Sequence, residues 1–192
     1  MNMIPQNIPY DNPLVPSDRI LIHVYPHKAF NNYMYSYGWH SDTQNVPDNV
    51  ACISIGCTHD IQENYLRNHK HEYDDHWFKQ DSHNVLNLDF DDIIMEYMET
   101  KYGIAYGITD EQASKLVKFI KDNFETAKYW YIHCRSGKSR SVAVGSFIND
   151  LYMNSNKQTM LFLPHGDAGL NQFVMQKLLE ANKAIICQNL IF

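Results

Sequence analysis

Hydrophobic and polar positions change rhythm several times along this chain, and the changes mark its elements. From Arg19 to Tyr25 (RILIHVY) the run is alternating and rich in β-branched residues, which predicts a strand. Val50 to Ile55 reads as a second strand, ending at Gly56-Cys57, Val85 to Phe90 as a third and Tyr129 to His133 as a fourth. Thr109-Asp110-Glu111-Gln112 has the capping-box pattern, a hydroxyl first and Gln three residues later. It opens a helix whose Ala113, Leu116, Val117, Ile120 and Phe124 share one face at 3.6-residue spacing. Ser141, Val142, Ala143, Val144, Gly145, Phe147, Ile148 and Leu151 predict a helix buried on most sides. A last helix is expected from about Asn171 to Ala184, with Phe173, Val174, Leu178 and Leu179 as its apolar positions. Strands that alternate with helices predict an α/β fold, a central mainly parallel sheet with helices on both faces. Residues 1–16, rich in Asn and Pro and lacking an apolar core, read as a flexible lead-in, and residues 17–192 as a single domain.

The fourth strand runs directly into Cys134-Arg135-Ser136-Gly137-Lys138-Ser139-Arg140, and the buried helix follows at once. A strand, a short loop and a helix N-terminus in that order predict an anion site, because loop N–H groups and the helix dipole converge on one spot. The same field favours the thiolate of Cys134, a nucleophile. Arg140 adds a planar fork that holds two oxygens of a phosphate at once. The Gly137-Lys138-Ser139 triplet is not the end of a nucleotide-binding loop. That motif needs a glycine five residues before Gly137, and Ile132 stands there.

His133 to Ser141 resembles the His-Cys-five-residue-Arg-Ser/Thr motif of the cysteine-dependent protein tyrosine phosphatase superfamily, and is most similar to its small dual-specificity branch. The likeness covers residues 85–155 well and the flanks loosely. It implies a hydrolase that removes phosphate from phosphotyrosine, and in that branch from phosphoserine or phosphothreonine, through a phosphocysteine intermediate. Cys134 would be the nucleophile. Arg135, Ser136, Gly137, Lys138, Ser139 and Arg140 would cradle the phosphate, and the Ser141 hydroxyl would donate to the cysteine sulfur as it departs. His133 would orient the loop, or be a buried histidine with no catalytic role. Such chemistry also needs a carboxylic acid to protonate the leaving oxygen. Asp89, Asp91 and Asp92 follow the third strand and so reach the same edge of the sheet as Cys134. Carried over from the family's Phe-Asp-Asp turn, Asp92 is the acid and Asp91 the runner-up. Residues 97–108 look like an insertion that lengthens the interval to Cys134. If the three aspartates only shape a turn, Asp110 or Glu111 comes next.

Charge and composition narrow the partners. With 16 basic and 22 acidic residues the net charge is −6, which argues against general nucleic-acid or anionic-membrane binding. No apolar run approaches the ~20 residues that span a bilayer. Cys52, Cys57, Cys134 and Cys187 show neither metal nor disulfide-framework spacing, so no metal or other cofactor and a reducing, cytoplasmic setting are expected. Cys57, at the end of the second strand, is a candidate to form a disulfide with Cys134 on oxidation, beside the simpler reading of a buried thiol. His59, His69, His71, His76 and His83 fall in a polar stretch without helical i, i+4 pairing, which favours loop histidines over a zinc site. Tyr73, Trp77 and Phe78 are expected to anchor that stretch to the body. Basic residues at the first and fourth loop positions, Arg135 and Lys138, also resemble the phosphoinositide phosphatases. The expected partner is therefore a phosphorylated protein, or alternatively a phosphoinositide, with inorganic phosphate as product.

Overall fold

A computed structural model describes residues 19–43, 46–58, 76–166 and 169–189. The expected lead-in, and His59, His69, His71 and Tyr73, lie outside them. The elements follow the order β1 (Ile20–Pro26), α1 (His27–Ser36), β2 (Val50–Gly56), β3 (Val85–Asp89), β4 (Tyr97–Thr100), β5 (Gly103–Tyr106), α2 (Asp110–Asn123), β6 (Tyr129–Cys134), α3 (Arg140–Asn154), β7 (Thr159–Phe162) and α4 (Gln172–Asn189). Five strands form one sheet in the order β3-β2-β6-β1-β7, with every neighbouring pair parallel. The α/β expectation therefore holds.

Alternation along the strands sorts two cores onto the two faces of the sheet. Ile20, Ile22, Ile53, Leu88 and Ile132 point into a core closed by α2, α3 and α4. Cys52, Val50, Val85 and Tyr131 point the other way, toward Phe30 and Met34 of α1 and toward Trp77 and Phe78. Both aromatics are buried, so they do anchor the start of the third strand's approach. Neither β7 nor α1 was expected. β7 is short and ends exposed, and α1 (HKAFNNYMYS) carries only Phe30 and Met34 as buried residues, too few for a clear helical stripe.

The capping box forms as expected. The Gln112 N–H donates to Thr109 Oγ1 at 3.1 Å, and the Thr109 N–H donates to Gln112 Oε1 at 3.0 Å. Gln112 Nε2 also donates to the Asp89 carbonyl at 2.8 Å, tying the start of α2 to the end of β3. The stretch expected as an insertion is an antiparallel hairpin, β4 with β5. Strand registers then set the edge that matters. Pro26 pairs with Cys134, Ser54 with His133, and Gly56 with Asp89, so four strands end almost level on their carboxyl side. In open parallel sheets, ligands bind outside that edge.

Two histidines on this sheet are held neutral. Burial lowers His23, stacked on Phe162 at 4.5 Å between ring centres, to about 4 from its ordinary 6.5. Burial first, and then electrostatic opposition from His27, Arg140 and His76 to a charge on its ring, holds His133 well below 6.5. The unfolded chain binds protons at these positions more readily than the folded one, so their contribution to stability is present above about pH 6.5 and is lost as pH falls below it. Urea midpoints at pH 7 and pH 5 test this: the drop between them should be smaller in His23→Phe, which keeps the ring stack and removes one proton-binding site.

Candidate functional site

Cys134 ends β6 and is fully buried. Residues 135–139 then bend, and α3 starts at Arg140. The bend needs Gly137. Its φ is +65°, and a Cβ there would lie 2.5 Å from the Pro26 nitrogen, so the loop packs against the end of β1 at a position that admits no side chain. The His27 N–H, opening α1, donates to the Arg135 carbonyl at 3.1 Å and holds the loop from the other side. Arg135 and Lys138 are exposed, and Arg140 is buried. Ser139 is the N-cap of α3 but makes no side-chain cap, and no acidic residue lies in the first turn. The positive end of that helix therefore keeps its field at the loop.

Three contacts organise the reactive groups. Cys134 Sγ lies 3.0 Å from Ser141 Oγ, inside the first turn of α3. Arg140 Nη1 donates to the carbonyls of Gly56 and Phe90, each at 2.7 Å, so the guanidinium is held against the ends of β2 and β3. Ser139 Oγ donates to Asp92 Oδ1 at 2.5 Å, which brings an exposed carboxylate directly onto the loop.

The aspartates expected as alternatives have other work. Asp91 is buried and accepts from the Thr58 N–H at 3.1 Å, the Thr58 hydroxyl at 2.5 Å and the Tyr106 N–H at 2.8 Å. It is a bracket between the end of β2 and the end of β5. Asp89 Oδ1 lies 3.0 Å from His76 Nδ1. Asp110 pairs with Lys177 at 2.7 Å, and Glu111 is exposed in the first turn of α2. Of these five carboxylates, Asp92 is the one hydrogen-bonded to the loop.

His133 does not reach the loop through its ring. Its Nε2 lies 2.6 Å from Ser54 Oγ on β2, and that oxygen also accepts the Trp77 N–H at 2.5 Å. The histidine joins the central strand to its neighbour and to the 76–78 segment. All four cysteines are free thiols, so the structure holds no Cys57–Cys134 disulfide. Among the described residues no group of three or more His, Cys, Asp and Glu side chains is placed to hold a metal ion, and no helix is long and apolar enough to cross a membrane.

Sequence reasoning missed Asn171. It precedes α4 rather than starting it, and its Oδ1 accepts the Val174 N–H at 3.0 Å as an N-cap. Its Nδ2 donates to Asp92 Oδ1 at 2.9 Å and to the Ile93 carbonyl at 3.1 Å, while its N–H points to the Ser139 carbonyl at 3.5 Å. One side chain thus caps α4 and holds the Asp92 turn beside the loop. An Asn before an apolar helix is a readable cap signal, but the partners of its other end are not in the pattern. α4 also runs past Ala184 to Asn189, where Ile185 still packs on the core.

Compared with family models, with curated proteins and with solved structures, the chain matches none.

Replacing Asn171 separates its two jobs. Asn171→Ala should lose about 1–3 kcal/mol of stability, from the cap and from the stranded buried carbonyl of Ile93. Asn171→Ser should recover the cap alone and fall between Ala and wild type in urea denaturation.

Proposed function

We propose that this protein is a cysteine-dependent phosphatase acting on phosphorylated proteins, with the 134–140 loop as its phosphate cradle. The observation that carries the reading is the placement of three groups around one loop: a buried thiol 3.0 Å from a helix-start hydroxyl, a buried guanidinium at the helix start, and a carboxylate bonded to the loop's own Ser139. Nucleophile, anion grip and proton donor are the minimum set for this chemistry.

The steps follow from those positions. The phosphate monoester sits over the loop, its oxygens taking backbone N–H groups, the α3 dipole and the Arg140 fork. The Cys134 thiolate attacks phosphorus. The bond to the leaving oxygen breaks, and that oxygen takes the proton of Asp92. Water then attacks the phosphocysteine while the Asp92 carboxylate removes its proton. The phosphorus–sulfur bond breaks with its electron pair returning to Cys134, where the Ser141 hydroxyl donates a hydrogen bond to the sulfur. Inorganic phosphate leaves. Ser139 and Asn171 hold Asp92 in position between the two half-reactions.

A second reading has its own observation. Arg135 and Lys138 are both exposed on the loop, and two extra cations suit a polyphosphorylated ligand such as an inositol phosphate headgroup. Turnover of phosphopeptides against inositol phosphates decides between the two substrates.

Release of phosphate from a small aryl ester is the first test. Cys134→Ser should bind substrate and lose more than about a thousandfold in turnover, since a serine hydroxyl does not ionise near neutral pH. Arg140→Lys should lose most activity as well, because a point charge does not replace the planar fork.

Asp92→Asn should lower the rate by roughly 10²–10⁴-fold for esters with poor leaving groups and much less for a nitrophenyl ester. The basic limb of its pH–rate profile should flatten. Asp91→Asn, which damages a bracket rather than a proton donor, should show no dependence on the leaving group. A leaving-group effect at Asp91 and none at Asp92 would transfer the acid role to Asp91.

A further inference from the structure

The β4–β5 hairpin presents three large apolar side chains and one glutamate on an open face near the candidate acid, and the phosphatase motif gives no reason for them. In the antiparallel register Tyr97 pairs with Tyr106 and Glu99 with Ile104, so these four side chains share one face. That face is open: Tyr97 is 64%, Tyr106 41% and Ile104 40% exposed. The opposite face turns Ala105 into the body. Ile94, between Asp92 and the hairpin, is also exposed, at 73%. Side chains of this size on a two-stranded ribbon mark a surface that meets something.

The hairpin is also rigidly attached. The Asp91 N–H donates to the Tyr106 carbonyl at 2.6 Å, and the Tyr106 N–H returns to Asp91 Oδ2 at 2.8 Å. The Gly107 N–H donates to the Glu96 carbonyl at 2.9 Å, and a Cβ at Gly107 would lie 2.3 Å from the Met95 carbonyl oxygen. Lys177 joins this base to α2 and α4, 2.7 Å from Asp110 and 3.6 Å from Glu96. The base of the hairpin is therefore tied to Asp91, the residue next to Asp92.

We propose that this face is the substrate-reading surface of the enzyme and that it binds apolar residues flanking the phosphorylated residue of a protein. The inference rests on the phosphatase reading and names its substrate class. Continuity carries it, because the surface begins two residues after the carboxylate that touches the loop. Charge selects the occupant. Residues 94–106 contain Glu96, Glu99 and Lys101 as their charges, a net of −1 that gives an anionic bilayer no cationic anchor on this face and leaves the apolar side chains to a peptide. Strands of four residues span about 13 Å, enough for roughly four residues of extended peptide.

The test uses the full chain and three probes: p-nitrophenyl phosphate, a phosphotyrosyl peptide with Leu and Ile around the phosphorylated residue, and the same peptide with Ser and Gly there. Wild type should prefer the apolar peptide by about tenfold or more in kcat/KM. Tyr97→Ser with Ile104→Ser should abolish that preference through KM, with p-nitrophenyl phosphate turnover staying within about twofold of wild type. Tyr97→Ser alone, at the most exposed of the ribbon's aromatic positions, should show a partial loss and an unchanged melting temperature. A preference that survives the double change overturns the proposal, as does an equal loss on the small ester or a wild type without preference. Hairpin-dependent binding to phosphatidylserine vesicles, or hairpin-dependent dimerisation with peptide kinetics unchanged, overturns it in favour of a membrane or a second copy. A wild type that releases no phosphate from the small ester overturns the phosphatase reading itself, and this one with it.

Discussion

The buried guanidinium of Arg140 constrains everything around it. A cation that leaves water must find acceptors, and in this molecule two of them are the carbonyls of Gly56 and Phe90. Those carbonyls lie at the carboxyl ends of β2 and β3, Gly56 in the last pair of their ladder and Phe90 one residue past its partner Asp89. The first residue of α3 is thereby tied to two strands that it does not follow in sequence. Cys134 is placed independently, by the pairing of β6 between β1 and β2. With both ends set by different parts of the sheet, five residues must close the gap between them. Gly137, pressed against Pro26, is where that short path is tightest. The loop's shape follows from its anchors.

Adjacent carboxylates then divide two tasks that sequence alone cannot separate. Asp91 turns inward, and its oxygens are occupied by Thr58 and Tyr106. Asp92 turns outward and meets Ser139 and Asn171. A buried carboxylate with three donors is a structural joint, because removing any of its bonds strands a polar group in the interior. An exposed carboxylate held on one side by Ser139 and Asn171 still faces solvent at the loop, which is what the proposed acid role requires. Neighbouring residues reach opposite roles because the chain turns sharply at Asp92, where the Ile93 N–H donates to the Asp91 carbonyl at 3.0 Å.

The parts legible in the sequence were those governed by local periodicity or by a dense motif. The four predicted strands matched β1, β2, β3 and β6 to within a residue or two, and Thr109 to Gln112 formed the capping box that its spacing announced. The strand–loop–helix around Cys134 was legible because each residue type there answers to one local requirement. What escaped depended on distant partners. α1 is helical because Phe30 and Met34 find a pocket under the sheet, β7 because β1 offers it an edge, and Asn171 matters through contacts with residues 79 and 78 positions away. His133 reads as a loop-orienting residue by its place beside Cys134, yet its ring belongs to Ser54, reached across the β2–β6 pairing. The distance from Asp92 to Cys134 along the chain was a similar trap.

That distance loses its meaning once the hairpin is seen to close on itself. Residues 93–107 leave the Asp91–Asp92 turn and come back to it, since Asp91 and Tyr106 exchange hydrogen bonds at the base. A segment closed at its root adds chain without adding separation, and the entropy of closing it grows only slowly with its length. Asp92 consequently lies on Ser139 although it stands 42 positions before Cys134 in the chain. The converse is more useful. A ribbon whose base is fixed to the Asp91–Asp92 turn, and whose outer face carries no packing demand, is free to vary its side chains without disturbing that turn. In the proposed reading, chemistry and selectivity then fall to separate residues of one short segment, with Tyr97, Tyr106 and Ile104 exposed on the face of the ribbon opposite Ala105.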